Sequence, residues 1–97
     1  MQSKAFTETV CEGFTTTIKC ANGKIRIIDA EYGRQDKKTC NDGQAKDTNC
    51  SYGKAKQKTA KLCDNKSKCV LESSNEIYKP DPCPGNSKYL IVKYACN

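Results

Sequence analysis

The segment Asp81-Pro82-Cys83-Pro84-Gly85-Asn86-Ser87-Lys88 sets a carboxylate and an ammonium at the two ends of a stiff loop. Proline fixes φ and removes an N–H donor, and glycine enters conformations that other residues avoid. A disulfide at Cys83 would pin the loop covalently as well. Such a loop suits gripping a small polar ligand: Asp81 accepts from hydroxyls, Lys88 donates to them, and the Gly85 amide can approach closely. The plainer reading is a surface ion pair across the loop, worth about 0–1 kcal/mol.

Two more groups could do similar chemistry. Glu12, in Cys11-Glu12-Gly13, is either a solvated surface glutamate or a fixed acceptor for two vicinal hydroxyls. Tyr32, in Glu31-Tyr32-Gly33-Arg34, either covers the core at a strand end or offers a sugar an apolar platform with a polar tip. In the first case Arg34 pairs with a carboxylate. The chain has no histidine. That removes Ser-His and Cys-His catalytic pairs, histidine acid–base work and histidine metal ligands. The enzyme reading that survives is glycoside hydrolysis with Glu12 and Asp81 as the carboxylate pair, in a chain small for a substrate cleft.

These residues must be held by 97 residues that are 36% hydrophobic. Mean hydropathy is −0.80, and a domain of this size buries a limited core. Eight cysteines supply the rest. Their spacing is irregular and contains no Cys-x-x-Cys, which favours four disulfides over zinc or redox motifs. Such density implies an oxidising compartment, so the protein is expected to be secreted. Met1-Gln2-Ser3-Lys4 carries no apolar signal core, as in a mature or recombinant fragment or one whose signal was removed. No apolar run reaches membrane-spanning length, and membrane insertion is not expected. Asn49-Cys50-Ser51 and Asn65-Lys66-Ser67 fit the N-glycosylation pattern.

The net charge is +6. Much of it falls on Lys54, Lys56, Lys58, Lys61, Lys66 and Lys68. This is either a solvated face that keeps the domain soluble or a patch for an anionic glycan or membrane surface. Nucleic acid is not an expected partner of an arginine-poor extracellular domain without a reading motif.

Strand patterns dominate. Residues 5–10 are rich in β-formers, and Phe14, Thr16, Ile18 and Cys20 share one face of the next run. Asn22-Gly23 is a turn signal, and 24–32 follows as a strand, so these two runs can pair as a hairpin. Asn41-Asp42-Gly43 is another turn. Residues 51–63 form a helix with Tyr52, Ala55, Thr59 and Leu62 near one stripe. Residues 68–72 make a short strand, and 89–95 close the chain with Leu90, Val92 and Tyr94 on one face. The sum is an α+β domain, mostly antiparallel strands with one or two short helices, spanning 1–97 as a single unit with its core in 11–96.

Asn22-Gly23, Tyr32-Gly33-Arg34, Asp81-Pro82-Cys83 and Lys88-Tyr89-Leu90 occur in this order among the eight cysteines. In this the chain resembles the rhamnose-binding lectin domain, also called the galactose-binding or sea-urchin-egg-lectin type. Such domains make up egg lectins of fish and invertebrates and occur at the N-terminus of latrophilins. The resemblance implies Cys11–Cys40, Cys20–Cys96, Cys50–Cys83 and Cys63–Cys69, a choice the cysteines alone leave open. It implies binding of L-rhamnose and D-galactose on cell-surface glycans without calcium or any other cofactor, because the two sugars share hydroxyl orientation at C2 and C4. Glu12 and Asp81 would accept hydroxyls, Tyr32 would pack against the sugar, Lys88 and the Gly85 main chain would donate, and Asn75 would be a further partner. Arg34 would be structural. Avidity would come from tandem domains or a homo-oligomer. The latrophilin setting implies the alternative, an extracellular protein-interaction module of the same fold without sugar binding.

Overall fold

The computed structural model describes residues 4–40 and 48–97. Along them run β1 (Ala5–Cys11), β2 (Thr15–Lys19), β3 (Ile25–Arg34), β4 (Cys50–Ser51), α1 (Ala55–Cys63), β5 (Lys68–Glu72) and β6 (Tyr89–Cys96). The main sheet has the order β1-β6-β3-β4, all antiparallel, and β2 pairs with β5 in a second small sheet. This is the expected α+β class with one helix.

The last strand occupies the centre because it can be buried on its inner face throughout. Leu90, Val92 and Tyr94 alternate into the core. In β3 the inward set changes parity, from Ile25 and Ile27 to Ala30 and Tyr32. A bulge between Ile27 and Asp29 inserts the extra residue that makes the switch. It turns Tyr32 inward. The small sheet adds Ile18 and Leu71 from the opposite side.

The helix starts at Ala55 rather than at 51. Cys50 and Ser51 are held extended against Arg34 and Gly33, and the Tyr52 N–H donates to the Tyr32 carbonyl at 2.8 Å. That close pairing needs Gly33, where a Cβ would collide with the Cys50 carbonyl. The helix buries Ala55, Thr59 and Cys63, while Tyr52 and Leu62 are half-buried. Its polar core residue is satisfied: the Thr59 and Tyr78 hydroxyls lie 2.7 Å apart. Tyr78 also stacks on Tyr32 with ring centroids 4.8 Å apart.

The hairpin expected across Asn22-Gly23 does not form. The turn joins two sheets instead. Lys24 and Asn97 exchange backbone bonds of 2.7 and 2.9 Å, and Cys20 is bonded to Cys96. The closing strand therefore takes the edge of β3 that a hairpin partner would have used, and β2 pairs with β5, Thr17 opposite Val70. Phe14, expected on the buried face, lies before the first paired residue of β2 and is 67% exposed. The Asn41-Asp42-Gly43 turn lies outside the described residues.

The disulfides are Cys11–Cys40, Cys20–Cys96, Cys50–Cys83 and Cys63–Cys69, the set the resemblance implies. They tie the irregular stretches to the sheets. Among the described residues no helix is long and apolar enough to cross a membrane.

Candidate functional site

Glu12 stands in the tight turn that leaves β1, closed by the Phe14 N–H donating to the Cys11 carbonyl at 3.0 Å. The turn faces the residue that enters β6. The Glu12 N–H donates to the Lys88 carbonyl at 3.0 Å, and the Lys88 N–H returns a 2.8 Å bond to Glu12 Oε1. The strand pairing of β1 with β6 thus continues one step further through a side chain. A second strap comes from the chain beyond β5, where the Gly13 N–H donates to the Ser73 carbonyl at 2.7 Å. It brings Asn75 alongside, with Asn75 Nδ2 3.3 Å from Glu12 Oε2.

The Asp81–Lys88 loop forms the facing wall. Asp81 Oδ1 accepts the Cys83 N–H at 2.9 Å, a local bond that pins the carboxylate across Pro82. Cys83 is fastened to Cys50 of β4. Arg34 holds the far end of the loop. It is wholly buried, donates to the carbonyls of Ser87 (2.6 Å), Asp36 (2.8 Å) and Cys40 (3.0 Å), and lies 5.1 Å from the Tyr89 ring centre. Arg34 is structural, as the resemblance implies, but through carbonyls rather than a carboxylate.

Lys88 is only 2% exposed. Its Nζ lies 3.2 Å from Asp81 Oδ1 and 3.4 Å from Glu12 Oε1, and donates to the Asn86 carbonyl at 2.6 Å and the Cys83 carbonyl at 3.5 Å. An ammonium has three protons. Four protein oxygens already surround this one, so it acts first as a brace that sets the two carboxylates. The ion pair of the plainer reading forms, but not at the surface: the cation is buried, and each carboxylate is about a quarter exposed (29% and 24%).

Glu12, Gly13, Asn75, Asp81, Gly85, Asn86, Ser87 and Lys88 line a cavity of about 530 Å³. Five of the six expected site residues meet there. Asp81 Oδ2 and the Gly85 N–H have no partner among the described residues, and Gly85 has φ +80 with open space where a Cβ would stand. That conformation is strained for any L side chain, and it aims a bare peptide at the cavity.

Tyr32 is the exception. Its ring is 0% exposed, so it cannot be the wall a sugar packs on. The bulge in β3 turned it inward against Tyr78. Its hydroxyl instead donates to Asn75 Oδ1 at 2.7 Å, which orients the Asn75 amide NH₂ toward Glu12. Burial, and then the nearby Glu12 and Asp81 carboxylates, push its phenol well above the ordinary tyrosine value. Tyr32 is therefore a neutral donor at any physiological pH. Sequence reasoning missed Gly13, Asn86 and Ser87. Only adjacency to Glu12 and Lys88 could have pointed to them.

The cavity thus offers carboxylate acceptors, amide donors and a formal negative excess of one charge, from two carboxylates and one ammonium. It suits a neutral ligand with several adjacent hydroxyls. Among the described residues no group of three or more acidic, cysteine or histidine side chains could hold a metal ion.

A family model described as the D-galactoside/L-rhamnose binding SUEL lectin domain matches residues 18–96. The chain is 37% identical to a rhamnose-binding lectin of Silurus asotus over 90% of its own length and 29% of the relative's. It is 38% identical to a D-galactoside-specific lectin of Heliocidaris crassispina, covering 93% of this chain and 89% of that one. An adhesion G protein-coupled receptor L1 of Mus musculus is 34% identical over 92% of this chain and 6% of the receptor. The chain therefore spans under a third of the catfish relative and most of the sea-urchin one.

Proposed function

We propose that this chain, which belongs to the D-galactoside/L-rhamnose binding SUEL lectin domain family, binds L-rhamnose- or D-galactose-type sugars in the cavity between Glu12 and Asp81. The observation that carries this reading is the bracing of both carboxylates on the one Lys88 ammonium. Braced acceptors lose little freedom when a ligand arrives, which lowers the cost of weak hydrogen bonding. Asp81 Oδ2 and Glu12 Oε2 accept from vicinal hydroxyls, while the Gly85 N–H and Asn75 Nδ2 donate. Lys88 gives a proton to the ligand by yielding one of its longer contacts. Tyr32 acts behind Asn75, not on the sugar.

Binding is calcium-independent, because an ammonium already stands where a divalent cation would bridge the carboxylates. The protein recognises glycans and does not cleave them, and it works outside the cell, as four disulfides suit. One such site binds at roughly millimolar to micromolar strength, so tandem or oligomeric display supplies avidity. The test is retention on immobilised galactose in the presence of EDTA, with elution by free rhamnose. Failure of both sugars to bind at roughly tens of millimolar sinks the proposal.

A second reading, a protein-docking module, is favoured only by the similarity to the adhesion receptor. Binding of a protein partner that free rhamnose does not disturb would support it.

A further inference from the structure

The cationic side of the molecule has no use in the sugar site. Lys54, Lys58 and Lys61 recur at i, i+4 and i+7 along α1, whose nine residues include no acid. Like charges at that spacing repel and weaken a helix. The end of α1 is bonded to the start of β5 through Cys63–Cys69, a separation of six residues. Lys66 and Lys68 therefore lie inside one short closed loop, and Lys61 stands just before it. On the small sheet, Lys68 is directly opposite Lys19, and both are exposed. Like charges facing each other across a strand pair are also destabilising.

Acids are sparse along this run. Between residues 50 and 71 the acid is Asp64, and its Oδ1 is engaged by the Ile27 N–H at 2.8 Å. Among the described residues the lysine that makes ion pairs is Lys88, at the other site. Two separate elements thus accept the same repulsion on one surface. An anionic partner would relieve both.

We propose that Lys19, Lys54, Lys58, Lys61, Lys66 and Lys68 form a binding surface for a sulfated polysaccharide. The helical row spans about 10 Å at 1.5 Å per residue, a line of ammonium groups suited to sulfates repeating along a chain. Lysine offers point charges, which match sulfate without the planar fork needed for bidentate recognition. Four disulfides put the domain in the oxidising compartment where sulfated chains occur. Val70, two residues past Lys68, and Phe14, just before β2, are exposed beside these lysines, so vesicle binding is tested alongside heparin. None of the six lysines lines the sugar cavity, and Lys19 closes β2 at the end away from Gly13. Both ligands can be held at once, so this site stands or falls separately from the sugar reading.

The experiment is titration of the intact chain with size-defined heparin oligosaccharides at several salt concentrations, alongside galactose binding. A fourfold variant carries Lys19→Gln, Lys61→Gln, Lys66→Gln and Lys68→Gln. A control of equal charge carries Lys4→Gln, Lys37→Gln, Lys38→Gln and Lys93→Gln. The expected result is salt-sensitive heparin binding that the first variant weakens at least about tenfold and the control barely changes. Galactose binding stays as it was in both. Four results overturn the proposal: no heparin binding by the parent chain, equal loss in both variants, equal binding of desulfated heparin, or binding of phosphatidylserine vesicles without binding of heparin. Circular dichroism verifies that each variant is folded, and these exposed side chains leave the core untouched.

Discussion

Glu12 and Lys88, 76 positions apart, hold each other through three contacts: the Glu12 N–H on the Lys88 carbonyl (3.0 Å), the Lys88 N–H on Glu12 Oε1 (2.8 Å) and the ammonium 3.4 Å from the same oxygen. One residue leaves β1 and the other enters β6. The sheet's own pairing therefore builds the cavity, and ligand affinity is coupled to the integrity of that strand end.

Glu12→Gln keeps the size of the side chain but gives up its charge. Hydrogen bonds to charged groups contribute about 1.5–3 kcal/mol, so galactose affinity should fall roughly 10- to 100-fold. Isothermal titration measures this. An unchanged affinity would remove Glu12 from the site.

Lys88→Met takes the cation from between two carboxylates. Breaking a buried ion pair on one side costs roughly 3–5 kcal/mol, and the carboxylates here are partly solvated, so the lower end is expected. Denaturant unfolding should show that loss together with abolished sugar binding. Full stability with weak binding would make Lys88 a ligand donor alone and not a brace.

Tyr32→Phe deletes the bond to Asn75 Oδ1 while keeping the ring stacked on Tyr78. Sugar affinity should drop several-fold, with stability lowered by only about 1 kcal/mol. Tyr32→Ala empties a fully buried volume and should cost about 3–5 kcal/mol. If Tyr32→Phe binds as the parent does, the Asn75 amide needs no orientation.

Gly85→Ala meets no neighbour, so any effect must come from φ +80. Leaving or straining that conformation costs about 1–2 kcal/mol and moves the free N–H. Affinity should fall further than this modest destabilisation alone explains, with the chain still folded at the assay temperature. Lost stability with unchanged affinity would instead mean a structural loop.

Alkaline stability follows from the phenols. Burial raises Tyr32, Tyr78 and Tyr94 above the usual tyrosine value. The neutral form is the one favoured in the fold. The stability this contributes is full below the unfolded tyrosine value and is lost as pH climbs through the folded ones. Ultraviolet titration above about pH 10 should therefore show part of the tyrosine absorbance appearing together with loss of circular dichroism. Ionisation of Tyr32, Tyr78 and Tyr94 without unfolding would contradict their burial.

Local order supplied much of this. Period-two runs marked the strands, eight cysteines marked the cross-linked class, and four short motifs in order among the cysteines carried the family, whose implied site set includes five residues that do meet at the cavity. Such features act through near neighbours or through covalent chemistry, so they are visible along the chain. Partner choice is not. That β6 takes the edge of β3 offered at Asn22-Gly23 depends on Asn97 and Cys96, far away in sequence. The role of Tyr32 turned on one bulge residue at 28, which swaps the faces of everything after it. The charge on Lys88 was legible, but its burial between two carboxylates required β1, β6 and the disulfide-held loop to converge. Tertiary structure decided these points because each is a competition between distant surfaces for the same space.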